Sequence, residues 1–152
     1  MMKYIVSAIF FLLITACSSK KAISNSPIAE TITLTKNLCF GSCPVYTIEI
    51  RKNGNIRLDA KNSVKNNLKG VYTSTLSKED LNSVNALDFT LLKDSYGNRE
   101  VSDLPSTDIE IHLPDGKTKK INDYGNHGSF ELEKLYQHID ILIGKLHWEK
   151  VK

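Results

Sequence analysis

Two cysteines four positions apart carry the strongest chemical signal in the sequence. Cys39 and Cys43 enclose Phe40-Gly41-Ser42 and are followed by Pro44. Three intervening residues allow a tight turn that joins the sulfurs in a structural disulfide, and glycine gives the backbone the freedom to make it. A redox-active dithiol and a metal or haem ligand pair are the alternatives. Redox pairs usually have Cys-x-x-Cys spacing at a helix start, and zinc needs four ligands, so the pattern favours the structural disulfide.

The four histidines are dispersed, and one of them falls in a loop that is a candidate ligand site. His127 lies in residues 124–129, just before a strong helix pattern. With Tyr124, Asp123 and the amides at the helix start, it forms a candidate site for an anion or a small ligand. A structural histidine is the alternative. No nucleophile elbow, phosphate-binding glycine loop or paired metal motif is present, so we predict no catalytic residue, no metal and no cofactor, and a protein that is not an enzyme.

A third cysteine, Cys17, follows a short apolar segment at the N-terminus. About a dozen apolar residues match a signal-peptide core and are too few for a membrane span of roughly 20 residues. The run Leu13-Ile14-Thr15-Ala16-Cys17 resembles the lipobox of bacterial lipoproteins. The resemblance implies that a signal peptide of residues 1–16 is removed. It also implies that Cys17 carries fatty acyl chains such as palmitate on its sulfur and on its new amino group. An ordinary signal peptide with a free Cys17 thiol is the alternative.

The residue after Cys17 bears on the destination of the protein. In well-studied Gram-negative bacteria an Asp at this position resembles an inner-membrane retention signal, and this chain has Ser18 instead. The resemblance therefore implies a protein lipid-anchored in the bacterial outer membrane, facing either the periplasm or the cell exterior. Lipidation of Cys17 leaves Cys39 and Cys43 as one pair in a compartment where disulfides persist.

The rest of the chain has the length of one domain. Residues 17–27 are polar and lack periodicity, which predicts a flexible tether behind the lipid. Residues 28–152, about 125 in number, are expected to form a single domain that folds without a metal. The 152 residues carry 20 Lys and Arg against 17 Asp and Glu, a net charge of +3 with the two signs interspersed. This balance argues against nucleic acid and leaves an unidentified envelope protein or cell-wall component as the partner.

Hydrophobic patterning predicts strands grouped around two helices. Ser77 and Ser129 each precede an apolar stripe of helical spacing and can cap a helix. The predicted fold class is α+β, with a mostly antiparallel sheet of about five to six strands and two amphipathic helices packed on one face. Matching Ile-Glu-Ile segments at 48–50 and 109–111 leave an internal repeat as an open alternative. Alternating apolar and polar residues mark strands near 30–35, 46–51, 56–60, 71–76, 109–113 and 117–121.

The cysteine segment also resembles a known family. Residues 39–46, Cys-Phe-Gly-Ser-Cys-Pro-Val-Tyr, match the pattern Cys-Phe-Gly-x-Cys-Pro-x-Tyr of a bacterial lipoprotein family, domain of unknown function 6438. Looser matches extend the resemblance to about Trp148. It implies the location and fold class given above but no catalytic residue. We therefore expect a membrane-anchored, non-enzymatic binding or structural module. A thiol–disulfide redox protein, or a ligand- or metal-binding protein that uses the Cys39/Cys43 loop, is the alternative.

Overall fold

The structure, a computed structural model, describes residues 28–152 of the chain. The predicted signal peptide, the predicted lipidation site at Cys17 and the predicted tether up to residue 27 lie outside the described residues. Among the helices within residues 28–152, none is long and apolar enough to cross a membrane.

Eight strands form one sheet, accompanied by two α-helices, in the described part of the chain. The strands are β1 (Thr31–Lys36), β2 (Val45–Arg51), β3 (Asn55–Asn62), β4 (Gly70–Thr75), β5 (Ser95–Tyr96), β6 (Ser106–His112), β7 (Thr118–Tyr124) and β8 (Glu149–Lys150). The α-helices are α1 (Lys78–Asn85) and α2 (Phe130–Lys145), and short 3-10 helices cover Lys65–Asn67 and Phe89–Leu91. The order of the strands in the sheet is β5-β7-β6-β1-β2-β3-β4-β8.

The first strand, β1, lies near the centre of the sheet between the hairpins β2–β3 and β6–β7. Leu34 is opposite Ile48 on one side and Ile109 on the other, in antiparallel register. This register places the two Ile-Glu-Ile segments on either side of β1. Successive side chains point to opposite faces of a strand, so the register gathers the apolar residues of the long strands on one face. We call this buried side the inner face and the opposite side the outer face.

Both helices pack on the inner face and complete a single core with it. The Ser77 hydroxyl accepts from the Asp80 amide at 3.1 Å to cap α1, and the Ser129 hydroxyl accepts from the Leu132 amide at 3.3 Å to cap α2. Lys145, at the end of α2, forms an ion pair with Asp80 at 2.6 Å, which links the end of one helix to the start of the other. The largest fully buried side chains are Leu34, Tyr46, Ile48, Ile56, Leu58, Ile109, Ile111, Ile121, Leu132, Ile139, Leu142 and Ile143.

The predicted fold class was wrong about the sheet. It has eight strands rather than five to six, and it is mixed, because β5 pairs with β7 in parallel with Tyr96 opposite Asp123. The fold is mainly sheet with little helix. The two unpredicted strands, β5 and β8, have only two residues each, which is too short for a periodic pattern. They form because the flanks of β7 and β4 offer unpaired backbone groups, and this opportunity exists only in the folded chain. Gly97 permits the close approach of β5, since a Cβ there would overlap the Tyr124 carbonyl.

Candidate functional site

The outer face of the sheet carries polar side chains along its long strands. Three threonines of β1 lie on it, and the neighbouring strands add charged residues in register with them. Since both helices pack on the inner face, neither of them covers this surface. An antiparallel sheet with one packed and one open face presents that open face to solvent and to partners. One row across the sheet consists of Lys120, Glu110, Thr33, Glu49, Arg57, Thr73 and Glu149.

Some charges on this row neutralise one another and others do not. Glu49 pairs with the Arg51 Nε at 2.7 Å, and Glu110 lies 3.5 Å from Lys120. The side chains of Arg57 and Glu149 form no ion pair or hydrogen bond within residues 28–152. They lie on opposite sides of β4, about 10 Å apart at the usual spacing between strands. The outer face therefore offers one positive and one negative group that a bound molecule can satisfy.

Two shallow grooves lie on the outer face, one toward each edge of the sheet. The groove toward β8 has a volume of about 420 Å³, and the groove toward β7 has about 670 Å³. Both volumes suit a small molecule or an extended peptide segment. Lining residues of the first groove, which we call the Arg57 groove, include Glu49, Arg51, Arg57, Thr73, His147 and Glu149. Those of the second include Thr33, Thr35, Asp108, Glu110, Lys120 and Asn122.

The Arg57 groove has the donors and acceptors needed to hold a ligand of mixed charge. A guanidinium presents several N–H donors in a planar fork that matches a carboxylate or a phosphate. Arg57 has its whole fork free, and Arg51 uses its Nε on Glu49 while its terminal nitrogens are not bonded to other described residues. Glu149 can accept from an ammonium or an amide on the far side.

Cys39 and Cys43 are joined by a disulfide, as the sequence predicted. Their Cα atoms are 5.9 Å apart, and the backbone turns at Gly41, whose φ is +140°. Asn37 holds the base of the loop against β6, because its backbone N–H donates to the Ser106 carbonyl at 2.9 Å. The crosslink therefore braces the connection from β1 to β2 where that connection leaves the sheet.

The predicted ligand loop is built around a buried carboxylate. Asp123 is 0 % exposed, and its Oδ2 accepts from the Gly128 amide at 3.2 Å and from the Tyr136 hydroxyl at 2.9 Å. The Tyr124 hydroxyl donates to the Val101 carbonyl at 2.8 Å, away from this carboxylate. His127 is exposed. The structure thus brings Asp123 and the helix start together but not Tyr124 and His127, and a ligand site in this loop stays a prediction.

Two tyrosines on α2 and β2 are held by carboxylates at the same end of the sheet. Burial, with the charge of Asp123, raises the pKa of Tyr136 well above that of a free phenol. Burial likewise raises the pKa of Tyr46, whose hydroxyl donates to Asp140 at 3.2 Å. Both phenols therefore remain protonated donors at neutral pH, and they attach α2 to the inner face by polar contacts as well as by packing.

The sequence did not lead us to predict the Arg57 groove or the burial of the Asp123 side chain. The alternation of side chains along β7 could have predicted this burial, because Asp123 lies two residues after the buried Ile121 and therefore on the same inner face. No comparable signal exists for the Arg57 groove. His147 and Glu149 join Arg57 there only because the end of the chain pairs with β4, with Glu149 opposite Thr73.

Within residues 28–152, no three His, Cys, Asp or Glu side chains are grouped so that they could hold a metal ion.

Comparison with known proteins places the domain in a family. The chain has no match among curated proteins. A family model with the description Domain of unknown function (DUF6438) matches residues 30–143, which run from just before β1 into the last turn of α2. The chain therefore belongs to the DUF6438 family.

Proposed function

We propose that this protein is a membrane-anchored, non-enzymatic binding module of the bacterial cell envelope. Cys17 would hold it in the outer membrane through acyl chains, and the tether would let the domain reach a partner near the membrane. The signal-peptide pattern of residues 1–16 and the lipobox-like run that ends at Cys17 support the anchor. Two or more acyl chains anchor a protein stably, whereas one chain gives only marginal binding.

The open outer face of the sheet is the observation that carries the binding role. Its long strands expose threonines and charged side chains, and two grooves cross it. The free guanidinium of Arg57 and the free carboxylate of Glu149 select for a partner that carries both charges. An extended protein segment and a peptide-bearing cell-wall component both have this chemistry. Tethering such a module to the membrane raises its effective concentration toward a partner in the same compartment.

The anchor is tested by acyl labelling in cells. A clickable palmitate analogue should label the wild-type protein, and the Cys17→Ser variant should lose the label and leave the membrane fraction. Cys39→Ser/Cys43→Ser serves as the matched control, because it removes the other two cysteines and should keep the label. Labelling that persists in Cys17→Ser would refute the anchor.

The binding face is tested by site-specific photo-crosslinking in cells. A photoreactive amino acid replaces Thr73 on the outer face in one variant and Glu133 on the exposed side of α2 in a matched control. We expect an adduct of defined mass at position 73 and none at 133, and we expect Arg57→Glu to abolish it. Equal adducts at both positions, or an adduct that Arg57→Glu leaves intact, would contradict recognition through the outer face.

A further inference from the structure

Exposed apolar side chains gather at one end of the sheet. The C-terminal ends of β1 and β7 meet there, as their register with β6 shows. We call it the loop end. Four of the eight large apolar side chains that are strongly exposed among the described residues belong to its loops or to the adjacent start of α2, namely Leu38, Phe40, Val101 and Phe130. At the opposite end the tight turns, at residues 52–54 and 114–117, are polar, and the exposed apolar residues are Ile28 before β1 and Leu91 near the start of β7.

The disulfide loop holds two of these apolar side chains in solvent. Leu38 is 75 % exposed and Phe40 is 91 % exposed, on either side of Cys39. The bond to Cys43 and the hydrogen bonds of Asn37 to Ser106 limit the conformations of the loop. The backbone that carries Leu38 and Phe40 is therefore restrained without support from the core. Less backbone entropy is then lost when an apolar phase receives these two side chains.

The neighbouring loop adds positive charge to the same end. Val45 pairs with Asn62, so the connection from β3 to β4 emerges beside the disulfide loop. Residues 61–69 contain Lys61, Lys65 and Lys69, and residues 36–48 contain one lysine; neither segment has an acidic residue. Lys61 forms an ion pair with Asp59 at 2.9 Å, and the Lys65 ammonium donates to the Asp140 carbonyl at 3.1 Å. Lys65 and Lys69 therefore carry positive charge that no described carboxylate neutralises. Apolar side chains beside lysines form the combination that binds the surface of an anionic lipid bilayer, where the apolar groups enter the acyl boundary and the cations meet the headgroups.

We propose that the loop end docks on the lipid bilayer, with Phe40 and Leu38 inserted at the interface. This inference rests on the proposed anchor at Cys17. From Cys17 to Ile28 the chain has eleven steps and reaches about 35–40 Å when extended. Strand β1 spans about 20 Å from the attachment of this segment to the disulfide loop. The lipid and the loop end can therefore meet the same bilayer. The strands then rise from the membrane, and the outer face stays open to a partner.

Tryptophan fluorescence on vesicles tests this orientation in the full-length protein purified from cells that produce it. Phe40→Trp reports on the loop end. Leu91→Trp is the matched control, because Leu91 is 82 % exposed but lies away from the loop end. The carbonyl of the next residue, Leu92, accepts a hydrogen bond from Lys119 near the start of β7. Both variants keep the native Trp148 as a common background. The vesicles contain phosphatidylcholine and phosphatidylglycerol, with and without brominated acyl chains as quenchers.

We expect the emission of Phe40→Trp to shift to the blue on vesicles and to be quenched several-fold more than that of Leu91→Trp. Adding Lys65→Glu and Lys69→Glu should reduce the quenching on phosphatidylglycerol vesicles but not on pure phosphatidylcholine. Equal quenching of the two variants, or a blue shift that appears only with a protein partner, would overturn the proposal. Mass spectrometry of Cys17 separates the two ideas. If the Phe40→Trp chain carries no acyl groups and its emission is still quenched, the anchor is refuted and the bilayer contact stands.

Discussion

The inner and outer faces of the long strands carry opposite chemistry although they share one backbone. On β1, Ile32 and Leu34 are buried on the inner face, while Thr31, Thr33 and Thr35 alternate with them on the outer face. The inner face packs against both helices. No described helix packs on the outer face, and the loop before β6 contacts it only at the end of β7, where Arg99 lies 5.4 Å from the Tyr124 ring. If the outer face binds a partner as we propose, stability and recognition are separable in this domain, and we expect substitutions on the outer face to leave the core intact.

The inner face has polar exceptions, and they cluster at the loop end. Thr107 and Asp123 are fully buried, and Tyr46 and Tyr136 bring hydroxyl groups to the same region. The Thr107 hydroxyl donates to the Asn126 side-chain oxygen at 2.6 Å, and the two phenols donate to carboxylates. The Oδ1 atom of Asp123, in contrast, is buried without a hydrogen-bond partner among the described residues. Polar groups that are buried and satisfied fix orientation more than they add stability. They fix how α2 and its preceding loop sit on the sheet.

The largest effect should come from deleting apolar volume on the inner face. Ile109→Ala is expected to lower the free energy of unfolding by about 3–4 kcal/mol, because it leaves a cavity beside Leu34. Thr33→Ala, the matched change on the outer face, should cost less than about 1 kcal/mol. Urea denaturation followed by circular dichroism measures both. Similar losses for the two variants would contradict the separation of the faces.

Carboxylates on the two faces provide a second comparison. Asp123→Ala should cost about 2–3 kcal/mol, since it leaves the Tyr136 hydroxyl and the Gly128 amide without their acceptor. Asp108 on the outer face accepts from Asn37 at 2.8 Å, yet it is exposed. Water can replace it, so Asp108→Ala should cost less than about 1 kcal/mol. Thermal unfolding measures the stability of both variants. A larger loss of stability in Asp108→Ala than in Asp123→Ala would contradict this expectation.

The disulfide is expected to contribute to stability independently of both faces of the sheet. Cys39→Ser/Cys43→Ser should lower the free energy of unfolding by about 2 kcal/mol, the loop-closure entropy of so short a crosslink. Wild-type protein in reductant should show the same loss, which controls for the serine side chains. A reduction potential in the range of thiol–disulfide oxidoreductases would contradict a structural role and favour the redox alternative.

The stability of the protein at alkaline pH tests the contribution of the two buried tyrosines. Burial raises the pKa of Tyr46 and Tyr136, so the folded protein keeps phenol protons that the unfolded chain loses near pH 10. The stabilisation is complete below that pH and falls as pH rises, by up to about 1.4 kcal/mol per pH unit for each phenol. Tyr136→Phe and Tyr46→Phe should each flatten this decline in urea denaturation between neutral pH and pH values above 10. An unchanged slope in both variants would contradict it.

Much of the strand pattern was predictable because it depends on neighbours in sequence. Alternation located the six longer strands, and Ser77 and Ser129 marked both helix starts. The disulfide was predictable because its partners are four residues apart. Strands β5 and β8 could not be predicted, since two residues carry no period and their partners are distant in sequence. The Arg57 groove was equally hidden, because it joins β2, β3 and β4 to the end of the chain.

By itself, the sequence determined the local features of this protein: the disulfide loop, the positions of the long strands, the helix caps and the family resemblance. Each depends on spacing along the chain. The tertiary structure alone decided that β1 lies near the middle of the sheet, that Asp123 is buried beneath α2, and that Arg57 and Glu149 share one groove. It also decided that Phe40 is exposed at the loop end. These features depend on which distant segments pair, and that choice follows from the burial of the whole inner face at once.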